Sequence, residues 1–335
     1  MPKTEYSKYI GKKWLAVSLL IIILSVTALL SISVGSAGLP ISEVLNALFG
    51  GGDTASRTII WNVRMPRIAT AVGVGIALAM AGCIMQSVLR NPLASASTLG
   101  IAQGATFGAA VAIIYFEAGV HIATFAFLGG ISTTFLILLL SRISKITPST
   151  MILAGVALSA MFTGATTLIQ YFSDDVLMAS VIFWTFGNLG RAGWNEISLI
   201  FIISAAAFVY FVINRWNYNA MESGANTAKS LGVNVDMLIL VSMIVATLIS
   251  AVAIAFVGTI NFIGLIAPHI VRKFVGNDYR FLIPCSALMG AIIMLGSDIA
   301  SRMIAPPAIL PIGALTSFLG APIFFYLIIK KGKIA

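Results

Sequence analysis

An all-α integral membrane protein with about ten transmembrane helices is the fold class this sequence predicts, and three observations predict it. Its 335 residues carry 20 Lys and Arg and 11 Asp and Glu, so about 9% of positions are charged, against roughly 25% in soluble domains. Hydrophobic residues make up 59% of the chain, and the mean hydropathy is +1.03. The charges are scattered between long apolar runs rather than gathered on one face, so the net charge of +9 reads as membrane orientation and not as a nucleic-acid footprint.

A span needs about 20 mostly apolar residues. Measured from charge to charge, the runs 14–42, 68–89, 91–116, 118–141, 146–173, 197–214, 237–271, 281–297 and 303–329 approach or exceed that length. The first follows a basic stretch, but it is too long for a signal-peptide core and lacks a cleavage signal, so it is expected to remain as an uncleaved helix. The shorter run 176–190, interrupted by Gly187, Asn188 and Gly190, is expected at the outer surface, with Trp184 at the interface. The run 237–271 has 35 residues, too many for one helix, and Gly258, Gly264 and Pro268 punctuate its second half.

The positive-inside rule decides how often that long run crosses. Lys3, Lys8, Lys12 and Lys13 place the N-terminus in the cytoplasm. Two crossings within 237–271 bring Arg272, Lys273, Arg280, Lys330, Lys331 and Lys333 to the same side, whereas one crossing would invert them. Ten spans result, with both termini cytoplasmic and only Arg57, Arg64, Arg67, Arg191 and Arg302 outside among the Lys and Arg residues. Residues 1–335 thus read as one transmembrane domain. It carries an outer segment, 35–67, and an inner segment, 214–236, each too short to fold alone.

Catalytic signatures are missing. There is no GxxxxGK[ST] phosphate loop, no HExxH and no GxSxG, so neither energy conversion nor covalent catalysis is written into this chain. Cys83 and Cys285 lie inside apolar runs and read as small packing residues. His121 and His269 fall on opposite sides of the ten-span arrangement and cannot share a metal site. Asp298 is the main intramembrane charge, and Arg302 stands four residues later on the same helical face as a local ion pair. A lone carboxylate is a poor basis for a proton or ion relay. The 30 glycines include the run 73–82, GVGIALAMAG, and small residues let helices approach closely in lipid.

Several short strings follow one another in a telling order. Trp61-Asn62-Val63-Arg64-Met65-Pro66-Arg67 opens the second span. Gly82 and Gln86 precede Arg90-Asn91-Pro92-Leu93-Ala94 and Leu99-Gly100. Leu153-Ala154-Gly155, then Trp184 with Gly187, come next. Ala228-Lys229-Ser230-Leu231-Gly232-Val233 lies in the inner segment. Gly258, Phe262, Gly264, Leu265, Pro268, His269 and Arg272 follow, then Asp298, Arg302, Leu310-Pro311-Ile312-Gly313 and Gly320-Ala321-Pro322. Together, over nearly the whole chain, these resemble the permease subunits of iron-siderophore, haem and vitamin B12 ABC importers, the FecCD type. Ala96, Asn188 and Ala225-Asn226 depart from the family pattern, where Pro, Ser and acidic residues are common.

The resemblance implies a type II ABC importer permease fold in a prokaryotic cell membrane. It implies a second permease copy, two separate ATPase subunits holding ATP and Mg, and a substrate-binding protein on the outer side. No cofactor or metal bound to this chain itself is expected, and no nucleic-acid partner. Arg64, Arg67 and Arg302, which defy the positive-inside bias, are expected to dock acidic residues of the binding protein, since Arg recognises carboxylates bidentately. Gly224, Ala228, Leu231 and Gly232 are expected at the ATPase contact. Gln86, Asn91, Leu93 and Ser149 are expected at the gate and pathway. The implied cargo is a metal chelate: ferric siderophore, haem or cobalamin, ahead of molybdate-type oxyanions. An ion-gradient-driven secondary transporter is the alternative, and it would require buried carboxylates beyond Asp298.

Overall fold

The computed structural model describes residues 3–34, 41–48, 50–116, 121–144 and 147–332, and these contain helices and turns but no strand. In chain order the helices are α1 (Lys3–Ser33), α2 (Ile41–Leu48), α3 (Thr54–Thr58), α4 (Met65–Val88), α5 (Ile101–Tyr115), α6 (Ile122–Ser144), α7 (Pro148–Tyr171) and α8 (Asp175–Thr185). They continue with α9 (Trp194–Ile213), α10 (Arg215–Glu222), α11 (Ala225–Ser230), α12 (Val235–Val257), α13 (Ile263–Val275), α14 (Tyr279–Met303) and α15 (Ile312–Gly332). Among the described residues, seven helices are long and apolar enough to cross a membrane, and 101–115, 175–185 and 312–326 are shorter apolar helices.

Helix α4 forms the axis of the bundle. It is buried along nearly its whole length and packs against α14, α12, α13 and α9. Its small residues make this possible. A Cβ on Gly75 would lie 2.5 Å from the Gly290 carbonyl oxygen of α14, and one on Gly82 would lie 1.8 Å from that of Gly264 on α13. At such separations the two backbones touch, which supplies the van der Waals packing that lipid cannot supply by hydrophobic drive. Helix α1, by contrast, leaves Trp14, Leu15, Leu19, Ile22 and Leu29 exposed, as a helix facing lipid must.

The long apolar run 237–271 does break into two helices. Gly258, at φ 84°, stops α12, and Phe262, at φ 67°, starts α13. The second leg returns alongside α4: Gly264 meets Gly82, and Arg272 donates to Gln86. Thirteen residues span about 20 Å at 1.5 Å each, short of a hydrocarbon core of about 30 Å. The run 91–116 is similarly shorter as a helix than its charge spacing suggests. Residues 91–100 form turns after Pro92, and the helix begins only at Ile101, after Gly100 at φ 80°. Segment 176–190 holds the short helix α8 followed by a turn.

Candidate functional site

Two polar clusters lie towards opposite ends of α4, and a cavity lies among α5, α7 and α8. At the first end, Asp298 of α14 is fully buried between two cations: Arg67 Nε lies 2.7 Å from Oδ1, and Arg302 Nη2 lies 2.9 Å from Oδ2. The expected Asp298–Arg302 pair is present, but Arg67 makes it a three-membered cluster across α4 and α14. Further donors go to the end of α1 and the residue that follows it. Arg302 donates to the Val34 carbonyl at 2.5 Å and to Ser31 Oγ at 2.7 Å, and Arg64 Nη1 donates to the Ile32 carbonyl at 2.5 Å. Cations at a helix C-terminus satisfy carbonyls that have no intrahelical partner and complement the helix dipole.

Within this chain the three arginines expected to meet a partner's carboxylates are engaged with internal groups. Arg64 is only 5% exposed, and Arg67 and Arg302 are turned inward because a buried carboxylate and the Ile32 and Val34 carbonyls at the end of α1 outcompete water for their donors. Their direct role here is to join α1, α4 and α14.

The opposite end holds Gln86, which is also more structural than expected. Its side chain is buried, with Nε2 donating to the Gly264 and Leu265 carbonyls at 3.3 and 3.4 Å and Oε1 accepting from Arg272. Gln86 therefore seams α4 to α13 and does not line an open path. Asn91 and Leu93 follow in an exposed turn, in which Asn91 Oδ1 accepts from the Leu93 N–H at 2.8 Å. Ser149 is exposed in the first turn of α7, and among the described residues no hydrogen bond joins it to the other three.

The inner segment 214–236 consists of two short helices, α10 and α11. Gly224, at φ 115°, separates them, and Gly232, at φ 84°, ends the second. Leu231 is 69% exposed and Gly232 is exposed beside it. Ala228 is the exception to the expected contact surface: it is fully buried, so it packs α11 against the body while Leu231 presents outward.

Sequence reasoning missed what anchors this segment. Tyr279 at the start of α14 donates its N–H to Asn219 Oδ1 and its hydroxyl to Glu222 Oε1, both at 2.9 Å, and Asn277 Nδ2 donates to Glu222 Oε2 at 3.1 Å. Asp278, between them, accepts from Arg280 Nη2 at 2.7 Å and pairs with Lys13 of α1 at 3.4 Å. Partial burial pushes the Asp278 carboxyl up, but the Arg280 hydrogen bonds and the charges of Arg280 and Lys13 outweigh it and hold the group at about 2, below its ordinary 3.8. A depressed carboxylate stabilises the fold above its unfolded value and loses that contribution as pH falls through the folded one. The gap in thermal unfolding midpoint between the parent and Asp278→Asn, followed by intrinsic fluorescence in lipid nanodiscs, is expected to be full at pH 7 and to close between about pH 4 and 2. A gap unchanged at pH 2 would contradict this account.

The cavity, about 320 Å³, lies between α5, α7 and α8 and is capped by Thr259 and Asn261. It abuts the 187–190 turn, whose Gly190 lies against Arg67. Its lining could have been found from sequence: Thr163, Thr166, Thr167 and Gln170 fall at i, i+3, i+4 and i+7 on α7, a polar stripe within an apolar run. Among the described residues, no group of three or more His, Cys, Asp or Glu is placed to hold a metal ion.

Compared with known proteins, residues 22–330 match the profile of the FecCD transport family. A chain of Methanocaldococcus jannaschii, named for ABC transporter permeases, is 48% identical over 98% of this chain and 98% of its own length. The iron(3+)-hydroxamate import system permease protein FhuB of Bacillus subtilis is 38% identical over 91% of this chain and 80% of its own. Further relatives are named for ferric citrate, hemin and molybdate transport. A solved structure titled as an inward-facing metal-chelate type ABC transporter superposes with a TM-score of 0.83 at 29% identity, covering 95% of this chain and 99% of that one.

Proposed function

Because the chain belongs to the FecCD transport family, we propose that it is the permease subunit of an ATP-driven importer that moves a metal chelate into a prokaryotic cell by alternating access. The observation that carries this reading is the near end-to-end match to a metal-chelate type ABC transporter structure, in a chain that lacks a phosphate loop of its own. ATP and Mg then belong to two separate ATPase subunits. A second permease copy completes the path, a substrate-binding protein delivers cargo, and ferric siderophore, haem and cobalamin are the cargo classes proposed.

In this reading the α10–α11 end faces the cytoplasm, as do both termini, and the Arg67 end faces the binding protein. Leu231 and Gly232 are the contact surface for the ATPase. Asn219, Glu222 and the 277–279 turn fasten that surface to α14, so a push on α11 is carried to the bundle by hydrogen bonds rather than through a slack loop. Asn91, Leu93 and Ser149 form the inner gate at the same end. Arg64, Arg67 and Arg302 set against one carboxylate leave an excess of positive charge at the outer end. Their field attracts an acidic docking face even though the guanidinium groups are committed inside. The secondary-transporter alternative loses its main candidate, because Asp298 is already held by two arginines.

Co-reconstituted with its ATPase, the parent should take up chelate with ATP and not with an imposed ion gradient. Leu231→Asp should keep a normal size-exclusion profile while reducing ATP-driven uptake at least tenfold, because it places a charge in an apolar contact. Gradient-driven uptake by the parent would reject the function, and full uptake by Leu231→Asp would reject the contact.

A further inference from the structure

Three segments of the chain pass between polar and apolar surroundings beside one another, at the end that carries α10 and α11. Helix α1 does so at Lys12, Lys13 and Trp14, just ahead of the exposed Leu15 and Leu19. Helix α9 ends on the exposed Ile213, and Arg215 and Trp216 open α10. Helix α14 opens with Tyr279, Arg280 and Phe281. Ring contacts tie the three together. Trp14 meets Phe281 edge-on at 5.7 Å, and the Arg280 guanidinium lies 5.1 Å from the centre of the Trp216 ring and 5.7 Å from that of Phe281. The Arg215 guanidinium lies 5.8 Å from the same Trp216 ring. Trp14 and Trp216 nevertheless remain 60% and 55% exposed.

The cluster holds more positive charge than it neutralises. Lys13 and Arg280 share the single carboxylate of Asp278, and Glu222 is taken up by Tyr279 and Asn277. Among the described residues Lys8, Lys12 and Arg215 make no ion pair, and Glu5 is the one acidic residue of α1. From Arg280 onward one strip of α14 is apolar and partly exposed: Pro284, Leu288 and Ile292 follow at four-residue steps. Twelve residues at 1.5 Å each make about 18 Å, enough for one leaflet of a hydrocarbon core of about 30 Å. Leu15, Leu19 and Ile213 stand exposed beside the cations, so this surface borders hydrocarbon, which suits a lipid better than a soluble partner.

We propose that this surface is a binding site for an anionic phospholipid of the inner leaflet. Its headgroup phosphate sits by Arg215 and Arg280, Trp14 and Trp216 stand at the depth of the headgroups, and an acyl chain follows the strip from Pro284 to Ile292. Arginine matches a phosphate with two parallel donors, indoles settle at the membrane interface, and basic pockets beside cytoplasmic helix ends take acidic headgroups. The leaflet rests on the orientation given by the permease reading; the lipid chemistry follows from the side chains alone.

Native mass spectrometry of the full chain, titrated in detergent with phosphatidylglycerol or phosphatidylcholine, tests the site. Phosphatidylglycerol should bind about tenfold more tightly than phosphatidylcholine. Combining Lys12→Gln with Arg215→Gln should remove that preference, at roughly fivefold per cation. Arg142→Gln, an exposed cation in the last turn of α6 on the same side of the membrane, should leave it unchanged. Brominated phosphatidylglycerol should quench the tryptophan fluorescence, and Trp216→Phe should reduce the quenching. Equal affinity for the two lipids, a preference that survives the double variant, or one lost equally in Arg142→Gln would overturn the proposal. So would displacement by glycerol 3-phosphate, which would mean a soluble phosphate site, or by the ATPase subunit, which would mean a protein contact. If the double variant does not elute as a monodisperse species, Lys12→Gln alone is read, because its side chain is exposed and in no ion pair among the described residues. Neither ATP nor cargo is present, so lipid preference can stand while ATP-driven uptake fails, or be absent while uptake proceeds.

Discussion

Gly82→Ala should strongly destabilise the fold. The added methyl would sit 1.8 Å from the Gly264 carbonyl oxygen, and the next nearest atoms are also backbone, so no side-chain rotation relieves the clash. Helix α13 would have to move away from α4, and the Gln86 bonds to Gly264, Leu265 and Arg272 would break with it. Overpacking a tight interface usually costs about 1–3 kcal/mol, and the added loss of a buried amide's partners puts this case at about 3 kcal/mol or more. Gly164→Ala is the matched control. It lies in helix α7 with nothing within 4 Å of the added methyl, and should be neutral or stabilise by up to about 1 kcal/mol through helix propensity. Size-exclusion profiles of the two detergent-extracted variants, before and after heating, check both outcomes. A well-behaved Gly82→Ala protein would mean that α4 and α13 do not touch.

Asp298→Ala should be nearly as severe for a different reason. The side chain is completely buried and carries the charge that Arg67 and Arg302 oppose. Removing one partner of a buried ion pair costs about 3–5 kcal/mol, because the other is left unneutralised, and here two guanidinium groups are stranded with Arg64 beside them. Asp298→Asn keeps the shape but not the charge and should fall between the parent and Asp298→Ala. Adding Arg67→Leu to Asp298→Ala should recover part of the loss, since one stranded cation is then gone. The thermal midpoint in nanodiscs reads all three, and raising the salt should not restore Asp298→Ala, because buried charges are poorly screened. Equal midpoints for parent and Asp298→Ala would show that the cluster does not close this end.

The helical class and the approximate helix positions were legible because lipid imposes its length and polarity directly on the chain. The break in 237–271 was legible from Gly258 and from the distribution of cations. The extent of the second leg was not. A charge-free run marks where helix is permitted, whereas Phe262 in a left-handed conformation decides where α13 begins. The arginines show the same division. Their presence on the less basic side was readable as an anomaly, yet whether a guanidinium faces outward depends on what lies within reach. Asp298 and the end of α1 lie more than 230 residues from Arg67 and Arg302 respectively. Asp278 and Asn219 were silent for the same reason: each is an ordinary polar residue until the fold sets α1, α10 and α14 side by side.

Sequence by itself therefore determined the solvent of this protein, its family, the absence of an energy-converting motif and the glycines on which close packing depends. These follow from composition, spacing and local order along the chain. Tertiary structure alone decided which charges are spent inside, how the α10–α11 segment is fastened to the bundle, and that a polar stripe on α7 becomes the wall of a cavity. Those properties are pairings across space, and the free energy of a buried charge or hydroxyl is set by the partner it meets rather than by its neighbours in sequence.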